Sequence, residues 1–386
     1  MRPRSFFVNG GAGRCLNAIP ALEKYEEDHP DEDFLIICEG GTDMFKGHPT
    51  LYSRVYDHWH KNLFRDKVKD TQIHTTEPYR IWEYYNQKCD LAQAFDIDIN
   101  NKGIRELPKP TIKLNRDEII NGKFVVQEVR QKTEKKKTIV FQPWGRGAQQ
   151  MGNMIVDPSG RSFEYNNVVS LMKRLQKKYS IILMSEFGFD FEKEGLKDTV
   201  SFPASQQVPI RGWFGIIRDA DLFIGCDSVG QHMAYAMDKP AVVVTGSTYG
   251  VNISYPNYDK FSVLDMGGDQ RLYDPIRVTP DEESARRNDG IMAMNDKVEL
   301  EIMKSVDKLM NKYYTKPEFE VQLPEQMGGG CGPQGCPPQQ GPSKEQIAMM
   351  QKDSPHPQEV NSEFKIPALK NKSNADKGFS DLIKNK

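Results

Sequence analysis

The chain has 386 residues, more than one compact core holds, and this length suits two domains with additions. Its 52 Lys and Arg against 54 Asp and Glu leave a formal net charge of −2, so no global basic field directs it to nucleic acid. The apolar run Phe6-Phe7-Val8 is too short for a signal-peptide core, no run approaches the roughly 18 apolar residues of a spanning helix, and the six scattered cysteines fit a reducing cytoplasm.

In chain order, Ser5–Asn9 reads as a short strand, Asn9-Gly10-Gly11-Ala12-Gly13 as a glycine turn, and residues 16–27 as a helix with Pro20 tolerated early. Phe34–Cys38 is a continuous apolar run, as expected of a buried parallel strand, and Glu39-Gly40-Gly41-Thr42-Asp43 is the loop at its carboxyl end. Residues 50–105 are rich in aromatics and charge and read as helices and loops completing a first domain. Residues 106–137 read as a linker, opened by Pro108 and Pro110 and closed by Glu134-Lys135-Lys136-Lys137.

The second half alternates more clearly. Thr138–Gln142 is a strand followed by the loop Pro143-Trp144-Gly145-Arg146-Gly147. Residues 163–179 form an amphipathic helix carrying Val168, Leu171, Met172, Leu175 and Tyr179 on one face. Strands at 181–184, 222–225 and 241–245 alternate with helices at 210–219 and 228–237, the pattern of a doubly wound parallel sheet. Asp296–Tyr314 is a final helix, expected to cross back onto the first domain. The expected division is a Rossmann-like domain with its linker over 1–137, a second Rossmann-like domain with the final helix over 138–317, and a disordered tail over 318–386, rich in Gly, Pro and Gln and then in Lys, Asn and Ser. Cys331 and Cys336, in Cys-Gly-Pro-Gln-Gly-Cys, are too few to fill a zinc site. Asp96-Ile97-Asp98, read as part of a strand, and Asp31-Glu32-Asp33, read as a turn, match a metal-binding string too short to carry weight, so no metal is expected.

The residues that carry chemistry lie in Asp221–Thr248. A buried strand ends at Gly225, and Asp227-Ser228 stands where the next helix begins. Free N–H groups at such an end hold anions, with Gly230 expected to allow close approach. Thr245-Gly246-Ser247-Thr248 ends the neighbouring strand and offers further donors. Two such ends side by side point to a phosphate-bearing ligand.

Asp227-Ser228-Val229-Gly230-Gln231-His232, with Lys239-Pro240 and the strand into Thr245-Gly246-Ser247-Thr248, resembles the C-terminal signature of glycosyltransferase family 9, the ADP-heptose:lipopolysaccharide heptosyltransferase group. Gly13-Arg14-Cys15-Leu16-Asn17-Ala18-Ile19-Pro20-Ala21-Leu22 is similar to that family's N-terminal motif. The resemblance covers residues 6–45 and 138–250. Val229 stands where the family has Gly, and Ser247 where it has Pro. It implies a GT-B architecture, with two doubly wound α/β domains facing a cleft. It also implies an inverting, metal-independent, cofactor-free transfer of sugar from a nucleotide-diphosphate sugar to a hydroxyl of a glycan or lipid-linked acceptor.

In that reading Asp227, Ser228, Gly230, His232, Thr245, Ser247, Thr248, Arg161 and Arg146 bind the donor, and Gly11, Gly13 and Arg14 form an acceptor or phosphate loop. The family's expected base is the Asp at the position of Arg14. Arginine stays protonated, so Glu39 and Asp43, in the loop after the second strand, become the candidate bases. Three other readings compete. A DNA glycosyltransferase acting on hydroxymethylated bases would use the basic stretch 132–137 and the aromatics of 50–85. An NAD-dependent oxidoreductase would use Gly11, Gly13 and Glu39, but Leu16 stands at its third glycine position. A non-catalytic scaffold would make the tail primary.

Overall fold

The computed structural model describes residues 2–151, 154–187, 193–196, 199–203, 208–268, 271 and 290–315. The tail, with Cys331 and Cys336, lies outside the described residues. The first half runs β1 (Arg4–Val8), α1 (Ala12–Asp28), β2 (Phe34–Cys38), β3 (Val55–Asp57), β4 (Gln72–Thr75), α2 (Trp82–Tyr85) and α3 (Leu91–Asn100). Its sheet has the order β3-β2-β1-β4, parallel throughout.

The helix α4 (Arg116–Thr133) follows, where a linker was expected. An Asn115–Glu118 capping box starts it, and Gly122 brings it into backbone contact with a later helix. Its apolar residues are diluted by charge, so it reads as solvent-exposed until its partner is known. The second half runs β5 (Thr138–Gln142), a small hairpin of β6 (Gln149–Met151) and β7 (Met154–Val156), α5 (Tyr165–Leu175), β8 (Ser180–Ser185) and β9 (Thr199–Pro203). Then come α6 (Ile210–Asp219), β10 (Leu222–Cys226), α7 (Val229–Ala236), β11 (Ala241–Thr245), α8 (Gly250–Ile253), β12 (Phe261–Asp265) and α9 (Asp296–Tyr313).

Its sheet has the order β12-β11-β10-β5-β8-β9, again parallel. β5, β8, β10 and β11 are buried along their whole length, because helices cover both faces. α9 packs on β10, β11 and α5 of its own domain rather than crossing to the first. Its apolar face (Ile302, Val306, Leu309, Met310) belongs to the cluster beneath the second sheet. Asp96 and Asp98 lie in α3, not in a strand, and Asp96 is buried against Arg105 at 2.6 Å. Their spacing there serves an internal ion pair.

Each sheet has one place where the chain reverses its direction of winding. In the second sheet it lies between β5 and β10; in the first it lies between β1 and β4. Loops leaving the carboxyl ends of strands diverge at such points and open a crevice.

Candidate functional site

A cavity of about 350 Å3 opens at both reversal points, walled by the two halves of the molecule. From the first half come Gly11–Arg14 after β1 and Tyr79 beyond β4. From the second come Trp144, Gly145 and Arg146 after β5, Glu186 and Phe187 after β8, and Asp227 to Val229 after β10, with Arg161 and His232. α1 and α7 both begin here, at Gly11 and Ser228, and neither start is capped by its own side chain. Two helix N-termini therefore bring free N–H groups and positive dipole ends to one hollow.

The loop before α5 is wired to present Arg161. Asp157 accepts from Ser159 N at 2.9 Å and from the hydroxyls of Ser159 and Ser162 at 2.5 Å each. Ser162 Oγ accepts from Gly145 N at 3.0 Å, and Arg161 Nε donates to Ser159 Oγ at 3.1 Å. Ser247 N donates to Gly160 O at 3.0 Å, and a Cβ on Gly246 would stand 2.5 Å from that oxygen, so glycine is required for the two loops to touch. Thr245, Ser247 and Thr248 are buried in this support and stand outside the cavity wall, because β11 lies on the far side of β10 from the reversal point.

Arg161 Nη1 lies 3.9 Å from Asp227 Oδ2. Burial works against the charge of Arg161, but the carboxylates of Asp227 and Asp157 outweigh it and hold the guanidinium above its usual value. Burial pushes the Asp227 carboxyl up, with Arg161 opposing. Gly230 does not line the cavity. Its N–H donates to Gln142 Oε1 at 2.9 Å, and a Cβ there would stand 2.3 Å from that oxygen and 2.7 Å from the Phe223 ring. The glycine lets α7 sit on β5 and β10. By accepting from the Gly230 N–H, Gln142 takes one N–H of the first turn of α7 from the neighbouring strand, and its Nε2 donates to Ser228 Oγ at 3.1 Å.

His232 is buried, and burial pushes its pKa down to about 4, so the ring is neutral at pH 7. Its Nδ1 shares a hydrogen bond of 2.8 Å with Tyr255 Oη, and its Cδ2 would stand 3.5 Å from a Cβ on Gly13. Gly13 thus lies in contact range of a histidine from the other half. A Cβ on Gly11 would likewise stand 3.3 Å from Arg146 Nη1. Arg14 lies over the Tyr79 ring, its Cζ 4.9 Å from the centroid, and donates to Thr76 O at 3.4 Å. It forms part of the cavity wall as a fixed cation.

Glu39 and Asp43 do not line the cavity. Glu39 Oε2 accepts from Gly10 N at 2.5 Å and holds the glycine turn. Asp43 is exposed, and its carbonyl accepts from Arg211 Nη1 at 2.8 Å. Both follow β2, one strand away from the reversal point. Among the described residues the carboxylates that do line the cavity are Glu186 and Asp227. Sequence reasoning missed Glu186, although it directly follows the buried strand β8, where the carboxyl-end rule would have found it. It also missed the apolar end built from Trp144, Met184, Phe187 and Trp213. No group of three or more His, Cys, Asp or Glu among the described residues is placed to hold a metal.

Two facing parallel α/β domains with a cleft at their carboxyl ends define a GT-B fold. More particularly, the fold is that of a glycosyl transferase family 9 structure from Veillonella parvula DSM 2008, with a TM-score of 0.51 and 11% identity over 81% of this chain and 98% of that one. The iron-containing dodecameric glycosyltransferase TibC from enterotoxigenic E. coli H10407 follows at TM-score 0.48 and 14% identity, over 80% of this chain and 79% of that one. E. coli ADP-heptose lps heptosyltransferase II gives 0.44 and 10%, over 80% and 99%. No family model matches the chain, and no curated protein matches it in sequence. No helix among the described residues is long and apolar enough to cross a membrane.

Proposed function

We propose that this protein is a glycosyltransferase that moves a sugar from a nucleotide-diphosphate sugar to an acceptor hydroxyl on a glycan or lipid-linked saccharide. The observation that carries this reading is the convergence of Arg161, Arg146 and the start of α7, where Ser228 makes no side-chain cap and Gln142 takes only the Gly230 N–H, in one cavity at the reversal point of the second sheet. A diphosphate fits such a site, since two guanidinium groups and free N–H groups meet its charge without a metal ion. The same cations stabilise the charge that grows on the diphosphate as its bond to the sugar breaks. The indole rings of Trp144 and Trp213 in the cavity lining offer apolar surface to the nucleoside base. The acceptor enters from the wall of Gly11, Gly13 and Arg14, where Arg14 positions it.

Glu186, an exposed carboxylate on the cavity rim, is the general base of this reading. It takes the acceptor's proton as the oxygen attacks the anomeric carbon from the side opposite the leaving diphosphate, and the configuration inverts. Asp227 is a poorer candidate, because it is buried and faces Arg161. Calorimetric titration with ADP-, GDP-, UDP- and CDP-sugars tests the proposal. Saturable binding of one donor, lost in Arg161→Ala and in Asp227→Ala, is the expected result. Absence of binding to all four overturns it.

A further inference from the structure

A second hollow, of about 670 Å3, lies at the opposite end of the second sheet from the candidate site. Its floor is made by the residues that lead into β10, β11 and β12, and its sides by α4 and the last turns of α6 and α9. Six cationic side chains line it, Lys123, Arg130, Arg218, Lys239, Lys260 and Lys312, against the three carboxylates of Asp219, Asp221 and Asp238. The positive excess is three charges, while the whole chain carries a formal net charge of −2.

Internal pairing accounts for part of the set. Arg130 binds Asp221 at 2.7 Å, and Lys260 binds Asp238, which Lys109 also approaches. Lys312 lies 3.7 Å from Asp259 outside the hollow. Lys123, Arg218 and Lys239 make no hydrogen bond or close ion pair among the described residues; they act on Asp219 only through its charge, and Asp219 Oδ2 makes no hydrogen bond. The carbonyl ends of α6 and α9 attract cations and explain Arg218 and Lys312. They do not explain Lys123, which sits in the middle of α4, or Lys239, which is half-buried in the turn before β11. Lys123, Arg218 and Lys239 around the single half-buried carboxylate of Asp219 leave two positive charges unmatched, and a concave space concentrates their potential. Burial pulls the Lys239 ammonium down from its usual range, against the pull of Asp221 and Asp219, so an arriving anion would relieve that cost.

We propose that this hollow is a separate binding site for a small polyanion carrying two or more phosphates, held by Lys239, Arg218 and Lys123. Its size suits one such molecule, and the separated cations suit several charged oxygens rather than one carboxylate.

Pyrophosphate is the probe. The full-length Arg161→Ala protein, with its first cavity weakened, is titrated by calorimetry at low salt, alone and with Lys239→Ala plus Arg218→Ala added. Saturable binding that falls tenfold or more in the triple variant, and weakens as NaCl rises, is expected. The exposed Lys123→Ala change, which alters no buried contact, is expected to weaken binding by itself. ADP in place of pyrophosphate separates the two sources of the chemistry, since tighter binding identifies a nucleotide and equal binding identifies bare phosphates. No saturable binding to the Arg161→Ala protein, or equal binding after Lys239 and Arg218 are removed, overturns the proposal.

Discussion

Glu186, Glu39 and Asp43 all follow the carboxyl ends of parallel strands, yet only Glu186 reaches the cavity. The difference is which strand each follows, and strand order is set by tertiary pairing that local sequence does not encode. Glu186→Gln is expected to lower turnover about a hundredfold or more while leaving donor affinity intact, the usual contribution of a general base. Glu39→Gln and Asp43→Asn should leave turnover within a few-fold of the parent. Steady-state rates with the donor identified by calorimetry check all three, and a dead Asp43→Asn beside an active Glu186→Gln would reverse the assignment. The positions of the residues expected at the donor site were more legible. Asp227 and Ser228 line the cavity where the strand-then-cap pattern placed them, and Arg146, Arg161 and His232 line it too, whereas Gly230 serves packing and Thr245, Ser247 and Thr248 lie outside the wall. A glycine beside a ligand and a glycine beneath a helix look the same until the neighbours are known.

The neutral, buried His232 adds a pH dependence at the same scale. Its folded pKa of about 4 lies below the ordinary histidine value of 6.5. Between those values the unfolded chain takes up a proton that the folded chain refuses. Its contribution is therefore fully present above about pH 6.5 and is lost as pH falls toward 4, by at most on the order of 3 kcal/mol. Thermal melts from pH 7 to pH 4.5 should show a shallower acid loss for His232→Gln than for the parent. Equal slopes would mean that the ring is hydrated in solution.

At the scale of elements, the long buried strands were legible because parallel strands covered on both faces become continuous apolar runs, as in Ile181–Met184 and Ala241–Thr245. The region 50–105 was not, because its strands are three and four residues long and its shortest helical turns have three. Periodicity needs more length than that to show. α4 was hidden for another reason. It packs through Gly122 against Gly215 of α6, and its buried stripe of Gly122, Val126, Val129 and Thr133 holds only two apolar side chains among many charges. A Cβ on Gly122 would stand 2.2 Å from the Gly215 carbonyl carbon, and one on Gly215 would stand 2.1 Å from Glu118 O. These atoms are backbone, so the helices must separate to admit a methyl group. Gly215→Ala is expected to destabilise the protein by about 1–3 kcal/mol or more, the range for overpacked sites. The matching fall in melting temperature is measured by calorimetry. Ala in place of the exposed Gly103, whose Cβ meets nothing within 4 Å, serves as the control.

At the scale of the molecule, two sheets suggest two independently stable domains, but the core argues otherwise. One buried cluster contains Phe6 and Phe95 from the first half together with Phe214 and Phe223 from the second. Polar ties reinforce it where water is excluded. Asn252 Nδ2 donates to both Tyr84 O and Cys89 O at 2.9 Å, and Arg211, itself buried, binds Glu118 at 2.6 Å while donating to Asp43 O and Lys113 O. Apolar surface shared in this way is exposed to water if either half unfolds alone, so partial unfolding costs nearly as much as complete unfolding. Urea denaturation is therefore expected to follow one transition. Tryptophan fluorescence, which reports the buried Trp144 and Trp213 of the second half, should coincide with far-ultraviolet circular dichroism, which reports the helices of both. Arg211→Ala leaves Glu118 half-enclosed without its partner and frees two carbonyls, which should cost about 3–5 kcal/mol. It should also pull the two probes apart, because the ties it cuts run from α6 to the loop after β2 and to the start of α4. Separate transitions already in the parent would show that the shared cluster contributes little and that the two halves hold the cavity open by their own stability. A single transition that persists in the variant would place the coupling in the apolar cluster alone.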